Sequence, residues 1–142
     1  MDNRPIGIFD SGLGGLTGLK ALRRFLPEEN IVYFADSGRV PYGEKTRVQL
    51  RGMARQNLSF LSGFGVKAIL IACGTLSSNA GDILAEWPVP AVGVLSSSAD
   101  WMSRLEGDSP VAVCSRQKCK LGEVRSWGGG QLKHSASLFF RK

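Results

Sequence analysis

The sequence predicts an α/β domain built on an open parallel sheet, and three observations carry that expectation. Short apolar runs recur at Ile6-Gly-Ile-Phe9, Ile31-Val-Tyr-Phe-Ala35 and Ala68-Ile-Leu-Ile-Ala72, the pattern of strands buried on both faces. Segments with leucines at helical spacing alternate with these runs, which demands crossover connections between parallel strands. Each run also empties into a loop of glycine and small polar residues: Asp10-Ser-Gly-Leu-Gly-Gly15, Asp36-Ser-Gly-Arg-Val-Pro-Tyr-Gly43 and Cys73-Gly-Thr75.

The elements follow in order. After the strand at Ile6, the recurrence of Leu16, Leu19, Leu22 and Leu26 predicts a helix over 16–26, with Arg23 and Arg24 near its end and Pro27 as its stop. The second strand, 31–35, leads through the Pro41 and Gly43 loop into a long helix over 45–62. Its inner stripe is Leu50, Met53, Ala54, Leu58 and Leu61, and Gly63 and Gly65 end it. Arg47, Arg51 and Arg55 line the opposite face, a solvated surface rather than a phosphate-binding one. Ser77 or Ser78 is the expected N-cap of a short helix running to about residue 86 and closed by Pro88. A fourth strand is expected over 91–95, a helix over 97–106 and a fifth strand over 110–113. Layered this way, residues 1–114 form one flavodoxin-like, three-layer αβα domain. No further αβ unit can be drawn over 115–142, which read as a basic, poorly structured tail.

Charge supports the same division. Residues 1–114 hold 11 basic and 11 acidic side chains, so the entire net charge of +6 lies in residues 115–142. The domain itself is neutral, and no nucleic-acid partner is expected for it. No apolar run reaches 18 residues and the first residues lack a signal-peptide core, so neither a membrane partner nor export is expected. Three cysteines without framework spacing fit a reducing, cytoplasmic setting. With one histidine, and Cys114 and Cys119 four residues apart, the chain offers no zinc set, and no metal is expected.

Parallel strands deliver their loops to one edge, where ligands bind in sheets of this type. Asp10, Ser11, Asp36, Tyr42, Gly43, Cys73 and Thr75 are therefore expected to converge. The spacing of Gly12, Gly14 and Gly15, with Thr17 where a third glycine belongs, rules out a dinucleotide fingerprint. The Gly38–Thr46 stretch resembles a P-loop, but Glu44 displaces Lys45 and Pro41 stiffens the loop, which argues against a nucleotide. What remains is an anion-binding turn at a helix opening, suited to a carboxylate. Asp10 is there either a cap or a partner of the thiol.

Four ordered blocks, Ile6–Leu16, Tyr33–Asp36, Arg39–Lys45 and Ile71–Thr75, resemble the glutamate racemase family within the cofactor-independent aspartate/glutamate racemases. The resemblance covers residues 1–113. It implies interconversion of L- and D-glutamate by two thiols acting on opposite faces of Cα, with no cofactor, for peptidoglycan synthesis and hence cell shape. A thiol, whose ordinary pKa is about 8.5, is tunable for such proton transfer near neutral pH. The family's pattern makes Cys73 one of the two thiols, assisted by Asp10. Asp10, Ser11, Tyr42, Gly43, Gly74 and Thr75 would hold the substrate.

Departures from that pattern accompany it. The family carries Asn where this chain has Gly74, and a small residue where it has Leu76, so weaker binding and steric interference are expected. The second half of the family, with its Gly-Cys-Thr-His block, has no counterpart here, and a lone thiol is not expected to complete inversion in cis. Apolar surface left uncovered would favour association of copies. The tail reads as a frameshift product: codons for Lys118–Arg125 can, one frame over, spell an Asn-Ala-Asn-Ser-Gly-Arg-Tyr segment like the family's. The alternatives are a non-catalytic domain that binds a carboxylate ligand or a partner, and another amino-acid racemase such as an aspartate racemase.

Overall fold

A computed structural model of the protein describes residues 2–103. Four strands, β1 (Ile6–Asp10), β2 (Ile31–Ala35), β3 (Ala68–Ile71) and β4 (Ala91–Gly93), form one sheet in the order β2-β1-β3-β4. All pairings are parallel, with Phe9 opposite Phe34 on one side and Ile71 on the other. Five helices connect and flank the strands: α1 (Leu16–Phe25), α2 (Arg47–Ser62), α3 (Gly74–Asn79), α4 (Gly81–Ala85) and α5 (Val94–Ser103). Two single 3₁₀ turns, Ser37–Arg39 and Tyr42–Glu44, shape the connection from β2 to α2. The expected open parallel α/β sheet is what forms.

The core lies mainly on one face of the sheet. Phe9, Ile69 and Ile71 pack against Leu50, Ala54, Leu58 and Leu61 of α2, with Leu76, Ile83 and Leu84 from α3 and α4 closing the layer. The strand residues among them are buried as the alternation along each strand requires, and full burial of each Leu, Ile or Phe contributes about 1.5–3 kcal/mol. Thr46 and Gln49 form a reciprocal capping box at the start of α2, Gln49 N donating to Thr46 Oγ1 and Thr46 N to Gln49 Oε1. That cap begins the helix at Arg47, two residues later than the apolar stripe alone predicts. Gly65, at φ +67°, makes the left-handed turn that returns the chain to β3.

The opposite face carries Ile8, fully buried, beneath α1. The leucine stripe expected to be the inner face of α1 is only partly covered: Leu19 and Leu22 are half-buried, whereas Leu16 and Leu26 are exposed. The reason is the glycines. A Cβ on Gly15 would lie 2.6 Å from Asp10 Cβ and 3.0 Å from Ala72 Cβ, and one on Gly18 would touch Leu70 and Ala72. Helix α1 thus meets the sheet through its backbone.

Two boundaries differ from expectation. The helix expected to start at Ser77 or Ser78 starts at Gly74, immediately after Cys73, whose extended backbone forms its N-cap. The serines are inside the helix, where Ser77 Oγ donates to Ile71 O and Ser78 Oγ to Thr75 O, so their hydroxyls serve preceding carbonyls. Strand β4 stops at Gly93 and α5 begins at Val94, earlier than 97, because the chain turns as soon as Gly93 passes Ser77. The fifth strand over 110–113 and the tail over 115–142 lie outside the described residues. The Arg47, Arg51 and Arg55 line is an outer face, with Arg51 forming a two-bond pair with Asp82 at 2.6 Å.

Gly93 is where β4, α3 and α4 come closest. A Cβ there would lie 2.4 Å from Ser77 Oγ and 3.4 Å from Leu84 Cδ1. Gly93→Ala is expected to cost about 1–3 kcal/mol in urea unfolding, the range for overpacking. Ser77→Ala in the same chain should recover only part of the loss, because Ser77 Cβ would still lie 2.9 Å away.

Candidate functional site

Strands β2, β1 and β3 end side by side, so Asp36, Asp10 and Cys73 leave the sheet at one edge. Asp10 and Cys73 come from neighbouring strands, joined where Ala72 N donates to Phe9 O at 2.8 Å. Asp36 N donates to Asp10 O at 3.0 Å, which links the other two strand ends.

The Asp10–Gly15 loop is held by two side chains. Asp10 Oδ2 accepts from Gly12 N at 3.2 Å and Gly15 N at 2.9 Å, capping the turn into α1. Tyr33, from β2, donates its hydroxyl to Gly12 O at 3.0 Å. Burial, together with the charge of Asp10, pushes the Tyr33 phenol above its ordinary pKa, so it stays a donor at neutral pH. So fixed, the loop places Ser11 beside the thiol, and Cys73 Sγ donates to Ser11 Oγ at 3.5 Å.

The thiol is less open than a side chain displayed on a rim. Cys73 is 4% exposed and belongs to the core cluster, with its sulfur turned toward Ser11. Ser11 is half-buried. On the next residues of α3, Gly74 is exposed, Thr75 half-buried and Leu76 fully buried. The steric interference expected from Leu76 does not arise at the surface, because that side chain fills the core. A Cβ on Gly74 would meet nothing within 4 Å. The first amides of α3 have no acceptor within the helix, as at any helix start.

Tyr42 and Gly43 lie in the second 3₁₀ turn, which packs against α3. The Tyr42 ring is 3% exposed and sits 6.1 Å from the Phe9 ring, centroid to centroid. Its hydroxyl donates to Asp36 Oδ2 and accepts from Asn57 Nδ2 at 3.1 Å. Burial first, and the bond to Asp36 second, raise this phenol far above its ordinary pKa. The Tyr42 side chain is thereby committed to the protein, and what the turn presents is backbone. Gly43 is half-buried.

Arg39 and Asn57 complete this cluster and were not foreseen. Arg39 Nε pairs with Asp36 Oδ2 at 2.6 Å, while its Nη2 donates to Asn57 Oδ1 at 2.6 Å. A signal for Asn57 did exist: it interrupts the apolar stripe of α2 three residues after Ala54 and four before Leu61. A polar side chain on a buried face needs partners. Among the described residues no group of three or more His, Cys, Asp and Glu side chains is placed to hold a metal ion, and no helix is long and apolar enough to cross a membrane.

No family model matches the sequence. The chain is similar to the curated glutamate racemase of Thermus thermophilus, 52% identical over 96 residues that are 67% of this chain and 37% of that protein. The crystal structure of glutamate racemase from Thermus thermophilus in complex with beta-chloro-D-alanine superimposes with a TM-score of 0.81 at 39% identity, over 89% of this chain and 49% of that one. The glutamate racemase of Francisella tularensis in complex with D-glutamate gives a TM-score of 0.69 at 46% identity, covering 74% and 40%. The chain thus spans less than half the length of each of these relatives.

The Asp10 carboxylate holds two amides that nothing else in the loop can satisfy. Asp10→Ala is expected to lower unfolding free energy by about 1–3 kcal/mol, the cost of stranding buried donors. Asp10→Asn should cost clearly less, since an amide oxygen still accepts. Urea unfolding of the two variants separates capping from any role in chemistry.

Proposed function

We propose that this chain is a member of the glutamate racemase family, matching part of the length of its relatives, and that it carries one half of a glutamate site, with Cys73 exchanging the Cα proton. The observation that supports this reading is the contact of Cys73 Sγ with Ser11 Oγ at the shared end of β1 and β3. As thiolate, Cys73 takes the Cα proton. The electron pair stays on the carbanion, delocalised into the adjacent carboxylate, and the thiol so formed returns a proton to the same face. Asp10 accepts both loop amides on Oδ2, which leaves Oδ1 to assist the thiol or receive the substrate ammonium. Ser11, the backbone of Tyr42 and Gly43, and the amides of Gly74 and Thr75 bind the carboxylates.

The whole reaction is inversion of L- and D-glutamate without a cofactor, serving peptidoglycan synthesis in the cytoplasm. It needs a proton donor on the opposite face. The described residues contain a single cysteine, Cys73. That observation favours, as a second reading, a domain that binds glutamate and exchanges its proton without inverting it unless a second copy or another polypeptide supplies the facing thiol.

Incorporation of deuterium at Cα of L- and D-glutamate in heavy water, with chiral analysis of the product, tests both. Exchange that falls by about a hundredfold or more in Cys73→Ala supports the assignment, a range typical of losing a general base. Binding without exchange leaves only a ligand-binding domain, and aspartate exchanging faster than glutamate would move the chain to another racemase class. Gly74→Asn introduces an amide into open space and is expected to raise glutamate affinity several-fold, about the value of one added hydrogen bond, measured by calorimetry.

A further inference from the structure

Four polar side chains meet beneath the turn that carries Tyr42 and Gly43. Asp36 is 8% exposed, Asn57 1% and Tyr42 3%. Arg39 reaches in from the surface, giving Nε to Asp36 Oδ2, Nη2 to Asn57 Oδ1 and Nη1 to Gln56 Oε1 at 2.6 Å each. Asn57 spends its oxygen on Arg39 and its nitrogen on the Tyr42 hydroxyl. Tyr42 gives its proton to Asp36. The four groups close a ring, Asp36 to Tyr42 to Asn57 to Arg39 and back to Asp36.

Each member comes from a different part of the connection. Asp36 follows β2 directly, Arg39 closes the first 3₁₀ turn, Tyr42 opens the second, and Asn57 is fixed on the third turn of α2. The Tyr42 ring packs in the core, but Val40 and Pro41, between the two turns, are exposed, so the polar ring is what ties the Asp36–Arg39 part of the connection to Tyr42 and α2. A closed ring in which three of the four groups, Asp36, Tyr42 and Asn57, are buried favours one geometry, since opening a bond leaves at least one of them without a partner.

We propose that Asn57 and Arg39 are positioning residues for substrate: through the ring they fix the Tyr42–Gly43 turn at the distance from Cys73 and Gly74 that binding requires. The inference rests on the reading that this turn contacts glutamate. Arg39 and Asn57 act only through Tyr42 and Asp36. Loss of either leaves Cys73 and Ser11 in place and frees the turn, so the turn must be ordered by the ligand itself, which weakens binding and spares the proton-transfer step.

The full chain carrying Asn57→Leu, which keeps the side-chain volume and removes both bonds, is compared with Arg39→Gln, a half-exposed and less disruptive change. Two measurements are made: calorimetric glutamate affinity, and the rate of Cα deuterium exchange at saturating glutamate. Amide hydrogen exchange over residues 40–45 reports the turn itself. The expected result is affinity lower by about tenfold, the weight of one or two bonds to a buried or charged partner, with faster amide exchange over 40–45 and a saturated rate within about twofold of the parent. Arg39→Lys, which keeps the charge for Asp36 but lacks the fork that reaches Asn57, should fall between. Arg51→Gln breaks the pair with Asp82 on the same helix and should lower stability without changing affinity. If both Asn57→Leu and Arg39→Gln fold and bind glutamate as the parent does, or lose affinity no more than Arg51→Gln, the positioning role is overturned while the site stands. Failure of the parent itself to bind glutamate would overturn the proposed function, and the positioning role with it.

Discussion

Everything at the functional edge depends on one carboxylate oxygen. Asp10 Oδ2 takes the amides of Gly12 and Gly15 at once, and that double acceptance turns the chain from β1 into α1 within five residues. The turn can close only because residue 15 has no side chain, the Asp10 Cβ occupying the space one would need. With the loop closed, α1 is drawn onto Leu70 and Ala72 through Gly18, and Ser11 is carried to Cys73. A cap, a helix packing contact and the neighbour of a thiol therefore have the same cause. Such economy also means that Asp10 cannot be altered without moving the site, so any chemical role for it is superimposed on a structural one.

The adjacent strand repeats the device with different parts. Asp36 follows the last residue of β2 as Asp10 closes β1, and Asp36 N bonds to Asp10 O between them. The second carboxylate holds its loop through side chains, Tyr42 and Arg39, rather than through amides. The difference follows from distance. The Asp10 loop is tight and rich in glycine, so its own amides reach back. The Asp36 connection runs to Thr46 through Val40 and Pro41, and only long side chains span it. Neither carboxylate is idle, and the groups left at this edge are the half-buried Ser11 with the buried thiol beneath it, and backbone at Gly43, Gly74 and Thr75.

What the sequence made legible follows from which forces are local. The strands were legible because a buried parallel strand needs a run of apolar residues, and their carboxyl ends were legible because the loops change composition at Asp10, Asp36 and Cys73. The start of α3 was not, since Ser77 and Ser78 look like caps until their hydroxyls are seen to bond back to Ile71 and Thr75. The leucines of α1 suggested a core face, but the helix docks through Gly15 and Gly18, and glycine leaves no hydrophobic trace. Tyr42 was singled out for its place in a loop at the sheet edge, and its burial and hydroxyl bonds were not legible. An aromatic among Pro and Gly reads as exposed when its partners, Asp36 and Asn57, are brought in by the fold. Asn57 itself was the overlooked clue, a polar residue inside an apolar stripe.

The bonds that build this edge come from a compact part of the chain. Every partner of Asp10, Ser11, Asp36 and Tyr42 named above lies between Phe9 and Asn57, with Cys73 as the one later contributor. The sheet holds that later residue in register through Ile71 opposite Phe9. The bonds that hold this edge thus come from one sheet and the segments that follow its first three strands. The relatives, of which this chain matches between 37% and 49%, share this fold, and the likeness lies in the part that carries these bonds. Among the described residues this edge carries one thiol, Cys73, and the sheet sets it beside the strand that carries Asp10.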